Sequence, residues 1–366
     1  MKQAKRFPVV EVRGSHFEMG RQYGSQCGAL IRDLASRFDD IFVSDRALQE
    51  GARRAMDEAV PAVRAAAPEL LEEVEGIAAG AGLSFGEAFR LNCAAEMGQW
   101  FGCAQKRSAA SVSDQCTSVA ADTGDGALVA WNMDWYPELQ PYMVLLHGQP
   151  EGEPAFLAFA LAGSVGRPGL SEQIAIGANQ LPYRPTEAPP AGGPEWAGPG
   201  VPYSFVSRML LQQRSVRDAL ALLRRTRRMV CLNYTLGDAT GDICCVETTP
   251  AAQAVLRPSE GFLTHANTFH TPEFHGMPEA QRQKGDPRAY AARALLRERQ
   301  GRIDPLAIAA AQSHHFPGRQ DGVCVHHPSG DRALLTLLSF IGEVGKGRMW
   351  AAYGPPCRHE FLPYDL

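Results

Sequence analysis

Residues 114–135, DQCTSVAADTGDGALVAWNMDW, contain the sequence signal that decides the fold. Two of the four residues 123–126 are glycines, and the stretches on either side are rich in strand-forming residues. A short glycine-containing turn between two such stretches is typical of a β-hairpin. The pattern therefore predicts antiparallel strands over residues 116–122 and 127–134.

The register of this hairpin brings two reactive side chains to one end of it. If Asp122 lies opposite Ala127, then Cys116 lies opposite Met133, and Asp134 is one position further along. Directly opposed Cα atoms in an antiparallel pair are roughly 4.5 to 5.5 Å apart. Local pairing alone is therefore expected to bring a thiol and a carboxylate close together.

The patterns on either side of the hairpin differ in kind. Residues 1–115 are mainly helical in periodicity, and capping boxes begin at Ser15 and Ser84, with Glu18 and Glu87 three residues later. Short apolar strand patterns follow the hairpin, and helical patterns alternate with them. The predicted helices after the hairpin cover 203–213, 216–227, 287–299 and a stretch starting at 304. Strands between helical layers fit this order best, so we expect an α+β protein whose segments 1–115 and 116–366 together form one domain.

Composition excludes several classes of protein. The 366 residues carry a formal net charge of −4, with 45% hydrophobic residues, so neither a nucleic acid nor an anionic membrane surface is an expected partner. The most apolar stretch, residues 155–165, is shorter than the roughly 20 residues that cross a bilayer. No secretory signal pattern is found at the N-terminus, and nine cysteines without regular spacing suggest reduced thiols. We therefore expect a cytoplasmic protein.

A cysteine that opens a strand after a helical region suggests a specific reaction. The Cys116 thiol can attack the carbonyl carbon of Gln115, and hydrolysis of the resulting thioester would divide the chain between these two residues. The freed α-amine, with an ordinary pKa of about 7.7 to 8.0, can then serve as the base for its own thiol. Taken alone, however, a single cysteine is more often a small buried hydrophobic residue.

Six segments together resemble the acyl-coenzyme A:6-aminopenicillanic acid acyltransferase family of self-cleaving Ntn hydrolases. They follow one another in the family's order over nearly the whole chain. They are RGSHFEMGRQYGS (13–25), EEVEGIAAGAGLSFGEAFRLN (72–92), the hairpin, GVPYSFVSRMLLQQRSVRDALALL (200–223), GFLTHANTF (261–269) and LLTLLSFIGEVGKGRMWAAYGPP (334–356). The resemblance implies a four-layer αββα sandwich, made as a precursor and cut before Cys116 into two fragments that stay together as a heterodimer. Further oligomerisation is left open.

The resemblance also implies roles for individual residues. Cys116 would be the nucleophile, Asp134 the carboxylate of the family's Asn-x-Asp pattern, and Asn267 the oxyanion-hole asparagine. Thr117 and Ser118 would orient the thiol or the amine. The predicted substrate-binding residues are Trp135, Tyr136 and His265.

The sequence departs from the family at two places. In DGVCVHH, residues 321–327, Val325 occupies the position where the family often has an arginine, and His326 follows it. Ala266 and Thr268 flank Asn267 where the family has threonine and histidine. The role of the missing arginine is therefore in doubt.

The expected activity is cleavage or formation of amide bonds in small N-acyl compounds, and the Pro- and Gly-rich residues 181–202 are a candidate lid. No cofactor or metal is expected, although an acyl-coenzyme A co-substrate fits the family. Two alternatives stay open: an inactive binding protein of the same fold, and a metal-dependent hydrolase. The latter would draw on His265, His270 and His275 or on the pairs 314–315 and 326–327, but their spacing matches no common metalloprotease motif.

Overall fold

The computed structural model describes residues 2–104, 116–181, 199–274, 286–319, 321–327 and 334–366. Gln115, His275 and most of the candidate lid lie outside these ranges. The described helices are α1 His16–Gln26, α2 Gly28–Phe42, α3 Arg46–Asp57, α4 Val60–Ala66, α5 Pro68–Ala81, α6 Phe85–Arg90, α7 Ala94–Ala104, α8 Tyr203–Leu211, α9 Val216–Arg225, α10 Pro287–Arg297 and α11 Pro305–Gln312.

The strands form two sheets. They are β1 Val9–Gly14, β2 Thr117–Asp122, β3 Ala127–Trp135, β4 Met143–Pro150, β5 Phe156–Leu161, β6 Gly169–Ser171, β7 Ile174–Gln180, β8 Leu232–Asp238, β9 Ile243–Thr248, β10 Gln253–Leu256, β11 Phe262–His265, β12 His326–His327, β13 Leu334–Glu343, β14 Arg348–Ala352 and β15 Leu362–Asp365. Sheet A has the order β1-β4-β5-β6-β7-β8-β9-β10, and sheet B has the order β11-β2-β3-β13-β14-β15, with β12 beside β13.

The two sheets pack face to face, and helices cover both outer faces. Strands β2 and β3 of sheet B contact β7 and β8 of sheet A. The outer face of sheet B packs its apolar residues, such as Val119 and Leu128, against Leu296 of α10 and Ile308 of α11. Both faces of these strands are therefore buried, which explains their nearly continuous apolar sequence. The predicted α+β class and the four-layer order αββα are confirmed.

The hairpin register is also confirmed. Asp122 pairs with Ala127 and Thr117 pairs with Asn132, so the thiol-bearing residue 116 directly precedes the paired region. The strand itself begins at Thr117 rather than at the cysteine. This position leaves Cys116 at the end of sheet B, next to side chains from other elements.

The N-terminal region is helical as predicted, with two differences. Both capping boxes are present, at Ser15 and Ser84. The helical periodicity after Ser15 is divided at Cys27 into α1 and α2. In addition, β1 is a strand, and it pairs in parallel with β4. Every helix in the described ranges is too short or too polar to span a membrane.

Candidate active site

Asp134 is held at the end of the hairpin by a hydrogen bond from the neighbouring strand. It is fully buried on β3 and lies opposite Thr336 of β13. The Thr336 hydroxyl donates to Asp134 Oδ1 at 2.5 Å, and Thr336 Oγ1 in turn accepts the backbone N–H of Val325 at 2.8 Å. The carboxylate is therefore fixed in orientation without contact with solvent.

Arg288, on the first turn of α10, joins the predicted site residues. Its guanidinium lies 3.6 Å from Asp134 Oδ2, measured from Nη1, and Nη2 donates to Asn267 Oδ1 at 2.8 Å. Its Nε also donates to Asp286 Oδ1 at 2.9 Å. Burial alone would lower the pKa of this arginine, but Asp286, Asp134 and Cys116 raise it above its ordinary value. Arg288 therefore stays charged and is attracted to both the carboxylate and a thiolate at Cys116.

Asn267 follows β11, and three hydrogen bonds fix its orientation. Its backbone N–H donates to Asp286 at 3.4 Å, its side-chain oxygen accepts from Arg288, and its Nδ2 donates to the Gln180 carbonyl oxygen at 2.7 Å. An amide nitrogen carries two hydrogens, so the bond to Gln180 leaves a second N–H for a substrate oxygen. The geometry is compatible with the predicted oxyanion role, which stays a prediction.

The two residues after Cys116 differ in their surroundings. Ser118 is buried between the sheets, where its hydroxyl donates to Asn179 Oδ1 at 2.6 Å and lies 2.6 Å from Thr235 Oγ1. Thr117 is equally buried, but its hydroxyl has no hydrogen-bond partner among the described residues. Ser118 thus ties the start of β2 to sheet A, whereas Thr117 retains an available hydroxyl beside the thiol-bearing residue.

The three predicted substrate-binding residues lie in different settings. The Trp135 ring is buried against the guanidinium of Arg167, 4.4 Å from the ring centroid, and Tyr136 lies beside it. His265 is buried on β11, with Nε2 2.9 Å from Glu247 Oε1 and Nδ1 2.8 Å from the backbone oxygen of Ala266. Both ring nitrogens of His265 are therefore engaged within the protein, which supports a positioning role more than direct substrate binding.

The cationic side chain near Cys116 comes from Arg288, in a segment for which the sequence predicts only a helix. Val325 is fully buried and contributes only backbone groups, to Thr336. The arginine that contacts Asp134 and Asn267 is instead Arg288. The signal available in the sequence was the Asp-Pro-Arg start of a helix, in which Asp286 caps the helix and can pair with Arg288. Nothing in the spacing connects this turn to the hairpin.

A cavity of about 310 Å³ opens beside the guanidinium. Its lining includes Arg288 and Asp286 on one side, and Phe316, Arg319 and Gly322 on the other. The cavity is large enough for part of a small acyl compound. It is a candidate route from solvent to Arg288, which contacts Asp134 and Asn267.

The metal-dependent alternative draws on His265, His270 and His275, of which His275 lies outside the described residues, and on the pairs 314–315 and 326–327. His265 and His270 lie with ring centroids 4.8 Å apart. However, His265 is bonded to Glu247, and burial together with His265 lowers the pKa of His270 to about 4. The described histidines and cysteines that come close enough together to hold a metal ion are His315, Cys324, His326 and Cys357, which include one member of each histidine pair.

Comparisons with known proteins agree with the resemblance seen in the sequence. Residues 121–300 match the sequence model described as acyl-coenzyme A:6-aminopenicillanic acid acyl-transferase, a range that includes Asp134, Asn267 and Arg288 and begins after Cys116. The 40 kDa form of acyl-coenzyme A:6-aminopenicillanic-acid-acyltransferase from Emericella nidulans is 24% identical over 303 residues, which cover 81% of this chain and 76% of that protein.

Solved structures with some similarity are hydrolases. A mutant of conjugated bile acid hydrolase from Clostridium perfringens aligns with a TM-score of 0.45 at 14% identity, over 69% of this chain and 92% of that one. Penicillin V acylase from Agrobacterium tumefaciens aligns with a TM-score of 0.41 at 14% identity, over 65% and 82%. The sequence comparisons therefore agree on one family: over residues 121–300 this chain is similar to the acyl-coenzyme A:6-aminopenicillanic acid acyltransferases.

Proposed function

We propose that this protein is a self-activating N-terminal cysteine enzyme that cleaves or forms amide bonds through a thioester on Cys116. The observation that carries the proposal is the convergence of Asp134, Asn267 and Arg288 around the end of the hairpin, with Cys116 within electrostatic range of the arginine. These groups come from β3, the segment after β11 and α10. A buried cluster of this composition has few structural explanations, because each charged group in it costs desolvation energy.

The first reaction is the cut that activates the precursor. Cys116 Sγ forms a bond to the carbonyl carbon of Gln115, the C–N bond breaks, and the backbone nitrogen of Cys116 leaves as an amine. Water then hydrolyses the thioester, so the products are a carboxylate at Gln115, a thiol and a free α-amine at Cys116. Thiol and base then belong to one residue, and their relative position is set covalently.

In turnover the same thiol attacks the carbonyl carbon of a substrate amide. The α-amine accepts the thiol proton and returns it to the departing amine, while the second N–H of Asn267 binds the oxyanion. Arg288 holds Asp134 and Asn267 in place through contacts at 3.6 Å and 2.8 Å. Water or an added amine resolves the acyl-enzyme, which gives a hydrolase or an acyltransferase.

The substrate is a small N-acyl compound or an acyl thioester. The 310 Å³ cavity supports a ligand of modest size, and the description of the family supports an acyl group delivered from coenzyme A or an amide. An inactive binding protein is disfavoured because the thiol and its polar neighbours are all retained. A metal-dependent hydrolase has less support, because the described group that could hold a metal ion, at residues 315, 324, 326 and 357, offers four protein ligands, as structural rather than catalytic zinc sites do.

Intact-mass analysis of the purified protein beside its Cys116→Ala variant tests the proposal. We expect two fragments that meet at residues 115 and 116 in the first sample and one uncut chain in the second. An active enzyme that is still uncut, or one that loses nothing when the sulfur is removed, contradicts the proposal. Product partition with and without an added amine then separates hydrolysis from acyl transfer.

The oxyanion role has its own test. Asn267→Ala should lower kcat by about 10² to 10³, or about 2.7 to 4 kcal/mol, because one oxyanion donor is lost. The matched control is Asn92→Ala, which removes a buried amide that donates to the Ala88 carbonyl and accepts from the Val165 N–H. Equal losses in the two variants would mean that Asn267 acts through stability alone.

A further inference from the structure

A second cluster of metal-binding side chains lies next to the proposed site. Its members are His315, Cys324, His326 and Cys357, and one ligand atom from each lies within 4.8 Å of all the others. They come from the segment after α11, from the strip that leads into β12, and from the turn after β14. We propose that this cluster is a Cys₂His₂ site for one zinc ion, which fixes the segment that orients Asp134. Below it is called the 315–357 cluster.

Two distances within the 315–357 cluster are close to those of tetrahedral coordination, and the ligand atoms of all four members lie within 4.8 Å of one another. Zn–S bonds of about 2.3 Å and Zn–N bonds of about 2.0 to 2.1 Å place two sulfur ligands about 3.8 Å apart, and a sulfur and a nitrogen about 3.6 Å apart. The Sγ atoms of Cys324 and Cys357 are 3.6 Å apart, and Cys324 Sγ lies 3.5 Å from His326 Nε2. The separation of His326 Nε2 from Cys357 Sγ, 3.0 Å, would need only a small expansion.

The fourth member supplies an independent observation. The Nε2 atom of His315 is buried and has no hydrogen-bond partner among the described residues. Its ring lies 5.2 Å from the ring of His326, centroid to centroid. A buried imidazole nitrogen without a partner is costly, and a metal ion would remove that cost. Cys324 and His326 are themselves buried, so the ion would be shielded from solvent.

Backbone pairing on either side of the turn after α11 fixes the positions of several ligands. His315 forms an isolated bridge with Gly322, and the N–H of Cys324 donates to the His314 carbonyl at 3.1 Å. This pairing turns the chain back on itself and brings His315 close to the segment that carries Cys324 and His326. Two thiolates and two imidazoles in tetrahedral arrangement favour Zn²⁺ over harder ions, and four protein ligands indicate a structural ion rather than a catalytic one.

The proposed ion would support the active site through short connections. The Val323 carbonyl accepts from Asn132 at 2.8 Å, and the Val325 N–H donates to Thr336, which in turn donates to Asp134. The ligands Cys324 and His326 alternate with these two valines. Residues 323–326 therefore connect the metal site to sheet B. The side chains of Cys324 and His326 would bind the metal ion, and the backbone groups of Val323 and Val325 form hydrogen bonds to β3 and β13.

Metal content tests the proposal without reference to activity. Tag-free protein, purified without chelator from zinc-supplemented cells, should contain about one zinc per chain. Cys357→Ser and His315→Gln should each lose the zinc, whereas Cys27→Ser, which changes a half-buried cysteine far from the cluster, should retain it. The Cys116→Ala variant should also keep its zinc, so failure of the metal site is distinguishable from failure of the proposed activity.

A cobalt titration tests the same site in the wild-type chain. It needs no substitution, so the result does not depend on whether a variant folds. Protein stripped of metal and titrated with Co²⁺ should develop the visible absorption of tetrahedral cobalt, together with thiolate charge-transfer absorption that saturates at one equivalent. A wild-type protein that is free of zinc and gives no thiolate charge transfer would overturn the proposal. A disulfide between Cys324 and Cys357 in freshly purified protein, detected by intact mass under non-reducing conditions, would overturn it as well.

Discussion

Arg288 is the residue on which the geometry of the candidate site depends most. It is buried, and its guanidinium contacts Asp286, Asp134 and Asn267. A buried guanidinium is tolerated only when its hydrogen-bonding groups are matched by acceptors, and here the acceptors are the groups proposed for catalysis. The same side chain therefore contributes to folding and to the arrangement of the site.

Replacement of Arg288 should affect both properties. In Arg288→Ala the carboxylates of Asp286 and Asp134 lose their buried partner, a change that typically costs about 3 to 5 kcal/mol in the free energy of unfolding. Arg293→Ala on the same helix is the matched control, because its partner Glu260 and the arginine itself are partly exposed, and we expect a loss of about 0 to 1 kcal/mol. Urea denaturation of both variants provides the measurement.

Arg288→Lys separates charge from geometry. A lysine keeps the positive charge but cannot reproduce the planar contacts with Asp286, Asp134 and Asn267, so self-cleavage and turnover should fall even if the variant folds. Wild-type kinetics in a folded Arg288→Lys enzyme would show that charge alone is required. A time course of fragment formation by mass spectrometry distinguishes the two results.

The sequence predicted the hairpin residues and missed the residues that complete their environment. Cys116 and Asp134 are neighbours through local pairing, and such a contact can be predicted from turn position alone. Arg288 and Thr336 reach Asp134 from 154 and 202 residues away in the chain, through α10 and β13. No periodicity in a single sequence carries that information, because it depends on how the helices pack on sheet B.

At the scale of elements, His16 connects helix α1 to helix α5 and to the turn between β4 and β5. His16 on α1 lies 2.9 Å from Glu73 of α5 and 3.1 Å from Glu153 in the turn between β4 and β5. Burial alone would lower the pKa of His16, but Glu153 and Glu73 raise it to about 9. The protonated imidazole therefore stabilises the contact of α1 with both neighbours.

This raised pKa predicts a loss of stability in mild alkali. The folded state binds the proton more tightly than the unfolded state, whose value is 6.5. The stabilisation is therefore complete below about pH 6.5 and is lost as the pH rises through about 9. His16→Gln should remove this part of the pH dependence of the urea midpoint, while His147→Gln, whose partner Glu11 is exposed, should not. A wild-type midpoint that does not change between pH 6.5 and 9.5 would contradict the assignment.

The contact between α1 and α5 depends on glycines at close approach. A Cβ atom at Gly20 would lie 2.0 Å from the Glu73 carbonyl oxygen, and one at Gly76 would lie 2.1 Å from the Phe17 carbonyl oxygen. Gly20→Ala should therefore force the helices apart and lower the unfolding free energy by about 1 to 3 kcal/mol or more. Gly98→Ala is the control, because the nearest atom to its Cβ is Phe42 Cδ1 at 4.0 Å, and it should be neutral or stabilising. Thermal denaturation measures both.

Element boundaries were predictable where a side chain defines them. The capping boxes at Ser15 and Ser84 and the Asp304 cap begin helices where the sequence predicts them. The break at Cys27 lacks a side-chain cap, and apolar periodicity continues across it. Strand β1 was missed although VVEVRG has three valines and alternates between exposed and buried residues, because it is short and its partner β4 lies more than 130 residues away.

At the scale of the whole molecule, the segment before Cys116 is part of both the sheet and the core. Strand β1 forms the edge of sheet A beside β4, and Gln3 bridges to His359 near the C-terminus. The Phe7 N–H donates to the Tyr364 hydroxyl at 2.9 Å, and the helices of this segment share one hydrophobic core with sheet A. A cut before Cys116 would therefore divide the chain without dividing the fold.

Two results should follow from this arrangement. The cut protein should elute from a size-exclusion column at the same volume as the uncut Cys116→Ala chain, and its fragments should separate only in denaturant, because their contact is a continuous hydrophobic core.

Self-cleavage should also require the folded precursor, because Asp134, Asn267 and Arg288 meet only after the sheets and α10 have packed. A precursor kept in urea at concentrations that unfold Cys116→Ala should therefore remain uncut. Cleavage should begin when the urea is diluted and the chain refolds. Cleavage in the unfolded chain at an undiminished rate would show instead that the local sequence around Cys116 is sufficient.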